Sequence, residues 1–202
     1  MQSLSRTLQR LSFVRARLLL ALFHRWRLVA CGSKCIVLRP LFWTPEHVSL
    51  GRDVLIWPGC RIEGLQDVAG SDGPHIDIGD RVSMQQHCHV TAAGHLRIGA
   101  GTTILCNVVI TDVDHRYSDP HVPVTHQAMD VRRTEIGDHC FIGAGARILP
   151  GTTLGHHSVV GANSVVRGDF PPGSVIAGVP GRVVKQATAS SLAPAVESLA
   201  VP

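Results

Sequence analysis

Residues 136–171 read IGDHCF IGAGAR ILPGTT LGHHSV VGANSV VRGDFP, six units of six residues in one unbroken frame. An aliphatic side chain opens every unit: Ile136, Ile142, Ile148, Leu154, Val160 and Val166. The same frame runs IGDRVS MQQHCH VTAAGH from Ile78, passes over Leu96 and Arg97, and resumes as IGAGTT ILCNVV ITDVDH from Ile98. A fainter start, VSLGRD VLIWPG CRIEGL, opens at Val48. Neither the helical period nor plain alternation produces a strict repeat of six. A triangular solenoid does. Each unit makes one face and one corner, three units complete a coil, and the aliphatic residue stacks on its equivalents in neighbouring coils. Gly and Asn suit corners that need φ > 0. The reading is an all-β solenoid over residues 48–185, preceded by an arm (1–47), interrupted by one protruding loop (111–135) and followed by a disordered tail (186–202).

Composition supports narrow stacked layers. Of 202 residues, 45% are apolar but only 4% are aromatic, and 20 are Gly. The net charge of +4 conceals an asymmetry. No acidic residue precedes Glu46, whereas Arg6, Arg10, Arg15, Arg17, Arg25, Arg27, Lys34 and Arg39 do, so the remainder carries −4. The basic character belongs to the arm, which argues against a nucleic-acid groove along the body. Leu4, Leu8, Leu11, Val14, Leu18 and Leu22 recur at helical spacing between the arginines, as in an amphipathic basic helix. Such a helix caps the open end of a solenoid or docks on an anionic membrane through residues 1–30. Leu28-Val29-Ala30-Cys31 matches a lipoprotein cleavage box, but His24-Arg25-Trp26-Arg27 interrupts the apolar stretch it requires. The cysteines Cys31, Cys35, Cys60, Cys88, Cys106 and Cys140 show no CxxC pair and read as reduced small fillers in a cytoplasmic protein.

The one break in the frame is TDVDHRYSDPHVPVTHQAMDVRRT, residues 111–134, followed by Glu135. Loops on rigid scaffolds carry function disproportionately. His115 stands at its start, where the solenoid holds it more firmly than His121 or His126. An imidazole, with an ordinary pKa of about 6.5, suits removal of a proton from an attacking hydroxyl. Asp112, Asp114 and Tyr117 flank it, either orienting the ring, gripping an acceptor, or serving only as turn residues.

These repeats, the His115-Arg116-Tyr117-Ser118-Asp119-Pro120 context and the closing FPPGSVIAGVPGRVVK resemble the bacterial hexapeptide-repeat acyltransferases. The nearest likeness is to sugar O-acetyltransferases of the maltose, galactoside and nodulation-factor type and their polysaccharide-biosynthesis relatives. The resemblance covers roughly residues 48–185 and implies a left-handed parallel β-helix, since left-handed crossovers depart from the usual rule and do not follow from the period. It implies acetyl-CoA as donor, no metal, a sugar or glycan acceptor, a homotrimer with sites completed between chains, and His115 as general base. It places Gln85 beside the acetyl group, where relatives carry Asn. On the donor side it implies Phe141 beside the thiol arm, Ala144 and Ala162 through their backbones, and Arg167, Arg182 and Lys185 near the phosphates. Ala144 replaces a hydroxyl residue, and Arg167 a small residue or Thr. Two other activities share the fold. A serine-type acetyltransferase would carry a larger helical N-terminal domain. A zinc hydrolyase of the γ-carbonic anhydrase kind would need three His from adjacent chains on regular coils; His115, His121 and His126 offer tempting spacings, but His121 and His126 lie in the irregular loop with Pro120 and Pro123. A scaffold without catalysis would not need His115 and the basic closing segment together.

Overall fold

The residues that open the repeats point inward. In the computed structural model, which describes residues 2–20, 25–68 and 71–187, Ile78, Met84, Val90, Ile98, Ile104, Ile110, Ile136, Ile142, Ile148, Leu154, Val160 and Val166 are all 2% exposed or less. Each coil gives one short parallel strand to each of three sheets. The first face stacks Ala30–Cys31, Val48–Leu50, His75–Ile78, His95–Ile98, Thr134–Ile136, Thr153–Leu154 and Asp169–Phe170. The second stacks Ile36–Val37, Leu55–Ile56, Ser83–Met84, Thr103–Ile104, Phe141–Ile142, Val159–Val160 and Ser174–Ala177, and closes with antiparallel Arg182–Gln186. The third stacks Phe42–Trp43, Arg61–Gly64, His89–Ala92, Val109–Thr111, Arg147–Ile148 and Val165–Val166.

Two expectations are corrected here. The solenoid begins at Ala30, whose strand pairs with Ser49 and Leu50, and not at Val48. The frame read from Val48 is also out of phase by two, because Leu50, Ile56 and Ile62 are the partners of Ile78, Met84 and Val90. Val48, Val54 and Cys60 fill a second inward position two residues earlier, and they are fully buried too. Where both inward positions are apolar, hydrophobicity cannot distinguish them. Later coils put small residues there, including Thr102, Cys140, Ala146, Ser158 and Ser164. Cys35, Cys60, Cys88 and Cys140 occupy this slot as packing. Burial pushes the Cys35 and Cys140 thiols up to about 11, so neither is a thiolate nucleophile at neutral pH.

The three corners are not alike. Through six coils the first-to-second corner always has four residues: 32–35, 51–54, 79–82, 99–102, 137–140 and 155–158. The second-to-third corner is also constant at four: 38–41, 57–60, 85–88, 105–108, 143–146 and 161–164. All length variation falls on the third-to-first corner, at 44–47, 65–74, 93–94, 112–133, 149–152 and 167–168. Glycine opens the first of these corners in every coil: Gly32, Gly51, Gly79, Gly99, Gly137 and Gly155. The reason is close stacking and not a positive φ. A Cβ on Gly99 would lie 2.4 Å from the carbonyl carbon of Gly137 and 2.5 Å from the nitrogen of Asp138. The positive φ comes two residues later, at Gly101 and also at Asp53, Arg81, His139 and His157.

Helix α1 (Gln2–Leu19) lies across the second face of the first coils. Phe13 and Ala16 pack with Ile36, Leu38, Leu55 and Trp57, and the Phe13 and Trp57 rings meet edge-on at 6.1 Å. Leu20 and Leu28 join the inner core with Cys35 and Val37, covering the open first coil. The leucine stripe read from sequence is not the packed face: Leu11, Val14 and Leu18 are 60%, 54% and 56% exposed. Leu22, the side chains of Leu4 and Leu8, and the tail from 188 lie outside the described residues. No described helix is long and apolar enough to cross a membrane.

Candidate active site

The interruption after Thr111 is built as a hairpin with a folded tip. Val113–His115 pairs antiparallel with Met129–Val131, setting His115 opposite Met129. The base is tied shut. The Thr134 hydroxyl donates to the Thr111 carbonyl at 2.9 Å, and the Arg132 N–H to the Asp112 carbonyl at 2.7 Å. At the tip the Gln127 amide donates to the carbonyls of Asp119 and Val122, both at 2.8 Å, and accepts from the Asp119 N–H at 3.1 Å.

Asp112 is not a substrate group. It is fully buried, and its carboxylate accepts the N–H groups of Ala93 at 2.8 Å and Gly94 at 2.9 Å. Burial raises its carboxyl above the ordinary value, and the two N–H bonds only partly offset this. It braces the hairpin against the two-residue turn Ala93-Gly94. Asp114 is exposed, accepts the His115 backbone N–H at 3.1 Å, and takes the Arg167 guanidinium at 2.9 Å. Arg167, expected near a phosphate or as surface charge, joins the hairpin to the coil two turns on. His115 is exposed beside this brace, and Tyr117 is 81% exposed and available to a ligand. His115, His121 and His126, the histidines that a zinc hydrolyase reading would have drawn on, do not form a ligand group among the described residues.

The residues expected on the donor side lie elsewhere on the prism. On the second face Thr103, Phe141, Val159, Val175 and Lys185 form one row across neighbouring strands. Phe141 is 42% and Val159 37% exposed, so the row is an apolar strip ending in a cation. Arg182 lies beside it, opposite Ala177. Ala144 and Ala162 occupy equivalent places in the second-to-third corner of adjacent coils, where the Asn163 N–H donates to the Ala144 carbonyl at 2.9 Å. Gln85 opens that corner two coils earlier than Ala144's turn ends, half-buried. One chain thus carries His115 on one edge and the apolar strip with its corner residues on another. The sequence reading passed over a further group, His75, Asp77 and His95 on the first face. Its signal was the recurrence of His three residues before Ile78 and before Ile98.

Residues 133–168 match the family model of the bacterial transferase hexapeptide (six repeats). The lipopolysaccharide biosynthesis O-acetyl transferase WbbJ, a name assigned provisionally in Escherichia coli K12, is 37% identical over 114 residues, 53% of this chain and 58% of that one. Galactoside O-acetyltransferase of the same organism is 33% identical over 121 residues, 57% of this chain and 56% of that one. The chain thus spans little more than half the length of these curated relatives. Among solved structures, AntD, an N-acyltransferase from Bacillus cereus in complex with dTDP and coenzyme A, superposes with a TM-score of 0.67 at 18% identity, over 81% of this chain and 86% of that one. That likeness is one of fold.

Proposed function

We propose that this hexapeptide-repeat protein, a left-handed parallel β-helix, transfers acetyl from acetyl-CoA to a hydroxyl of a sugar or glycan precursor, with His115 as general base. The observation that carries the reading is an exposed imidazole at the root of a hairpin braced by Asp112 below and Arg167–Asp114 beside it. The acceptor oxygen attacks the thioester carbonyl while His115 takes its proton. The tetrahedral intermediate then expels the CoA sulfur, which recovers that proton from the imidazolium. The strip from Phe141 to Lys185 spans three strand spacings, about 14 Å at roughly 4.8 Å each. It suits an extended pantetheine arm, with Lys185 and Arg182 toward the phosphates. Ala144 and Ala162 border the arm, and Gln85 and Tyr117 contact the acceptor. Because base and donor strip leave one chain on different edges, the working site forms between chains of a trimer.

The test is mass-spectrometric detection of acetylated product from a panel of sugars and lipid-linked glycans. His115→Ala should lower turnover by about 10²–10⁴, with CoA still bound and the far-UV spectrum unchanged. Near-normal turnover in that variant, or acetylation of serine in preference to every sugar, overturns the reading.

The exposed stripe of Leu11, Val14 and Leu18, with Arg15 and Arg17 on the same helix, fits an anionic lipid surface. Docking there would hold the enzyme at the cytoplasmic face of a membrane, beside lipid-carried glycans. Sedimentation with phosphatidylglycerol vesicles, and much less with phosphatidylcholine vesicles, is the expected result. Equal partition, or partition unchanged by Leu11→Asp/Leu18→Asp, rules it out.

A further inference from the structure

Three side chains converge on the first face, away from both the hairpin tip and the donor strip. His75 and His95 are paired residues of adjacent coils, held in register by four consecutive partners. Asp77 stands on the same strand as His75, two residues on, so it shares the outward face. Its carboxylate lies between the two rings: His75 Nε2 is 2.9 Å from Oδ1 and His95 Nε2 is 2.8 Å from Oδ2. The ring centroids are 5.6 Å apart, and the ligating atoms all lie within 4.8 Å of one another. All three are half-buried, accessible to a small ion yet fixed by the strands beneath.

We propose that His75, Asp77 and His95 form a binding site for one divalent cation of the zinc class, completed by water. Two imidazoles and one carboxylate are the donor set that such ions select, and a hard ion such as Mg²⁺ would not favour it. Zinc–ligand bonds of about 2.0–2.1 Å place tetrahedral ligand atoms about 3.3 Å apart. The N···O separations here, 2.9 Å to one carboxylate oxygen and 2.8 Å to the other, widen by about half an ångström, and the two imidazole ligand atoms, within 4.8 Å of one another, adjust to the same spacing to admit the ion. Both imidazoles would then carry their proton on Nδ1. The Asp112 carboxylate, bound to the Gly94 N–H next to His95, supplies a further negative charge close by. The ion would also cross-link two coils at a mechanically important place. The His75 N–H donates to the Gly94 carbonyl at 2.7 Å, and Gly94 in turn holds Asp112 at the root of the hairpin. The site therefore stiffens the platform under His115 without touching the reacting atoms, and it stands whether or not the acyl-transfer reading does.

The experiment uses the full chain, stripped with chelator and titrated with Zn²⁺ by calorimetry and with Co²⁺ by visible absorption. The expected result is one equivalent per chain, a rise in Tm on addition of Zn²⁺, and loss of both signals in His95→Ala and in Asp77→Asn. His156→Ala, at a different corner, should bind as the wild type does, and metal-free melting and circular dichroism check that each variant folds. Wild-type binding no tighter than that of His95→Ala makes the cluster a hydrogen-bonded triad only and overturns the proposal. Loss of the signal in His156→Ala overturns it equally, because the ion would then sit elsewhere.

Discussion

Arg167 and Asp114 meet at 2.9 Å with side chains 45% and 53% exposed, so the pair contributes at most about 1 kcal/mol to stability. Its effect on catalysis should exceed that, because it aims the strand carrying His115. Arg167→Ala and Asp114→Asn should each lower kcat, the double variant should be no worse than the more damaged single, and the KM for acetyl-CoA should stay put. Steady-state kinetics on the four proteins give this directly. A raised donor KM in Arg167→Ala alone, with Asp114→Asn silent, would return Arg167 to the phosphates. The sequence drew attention to His115 because it stands at the start of the break in the repeat. It could not separate Asp112 from Asp114. Both follow Thr111 in a short acidic run, and only the fold shows that one turns inward to cover the N–H groups of Ala93 and Gly94, while the other faces Arg167.

At the scale of strands and corners, the glycine seam makes a firm prediction. Gly99→Ala drives a methyl group into backbone of the next coil, and overpacking of that kind costs about 1–3 kcal/mol. Thermal melting should fall by several degrees, at about 2–4 °C per kcal/mol for a chain this long. The residue that follows the seam glycine of the preceding coil, Asp80 after Gly79, adds a pH signature. The Asp80 carboxylate accepts the Arg52 backbone N–H and its guanidinium, both at 2.8 Å, which holds its carboxyl below the ordinary value. A folded value below the unfolded one means the contribution is complete above the ordinary carboxylate range and fades as pH falls through the folded value. Asp80→Asn should therefore be less stable than wild type in urea at neutral pH, with the gap closing as pH falls below the ordinary carboxylate range. Period and inward residues were legible because each coil repeats them. The seam's cause was not, since a glycine wanted for closeness looks the same in sequence as one wanted for its φ. Helix α1 shows the same limit: spacing reveals an apolar stripe, but Phe13 and Ala16, outside that stripe, are what the solenoid buries.

For the whole molecule, the proposed function puts base and donor strip on separate edges and so requires that no chain works alone. Mixed trimers of His115→Ala with Arg182→Ala/Lys185→Ala should recover part of the activity that each parent lacks, since some interfaces then join a sound hairpin to a sound strip. Refolding the two together and assaying beside each alone measures this, and no recovery would place the whole site within one chain. The unequal corners reach further. Two edges admit neither an extra residue nor, along one of them, an extra methyl group, so any lengthening there would throw every later coil out of step. The third edge carries connections of two to twenty-two residues without disturbing the strands on either side. Novelty on this scaffold is thus confined to a single margin, in the way a bound book accepts inserted leaves only along its open side. Both the hairpin that bears His115 and the cluster at His75, Asp77 and His95 border that margin, and a designer wishing to graft a new recognition loop should splice it there, for instance between Asp72 and Gly73, where nothing lies within 4 Å of an added Cβ.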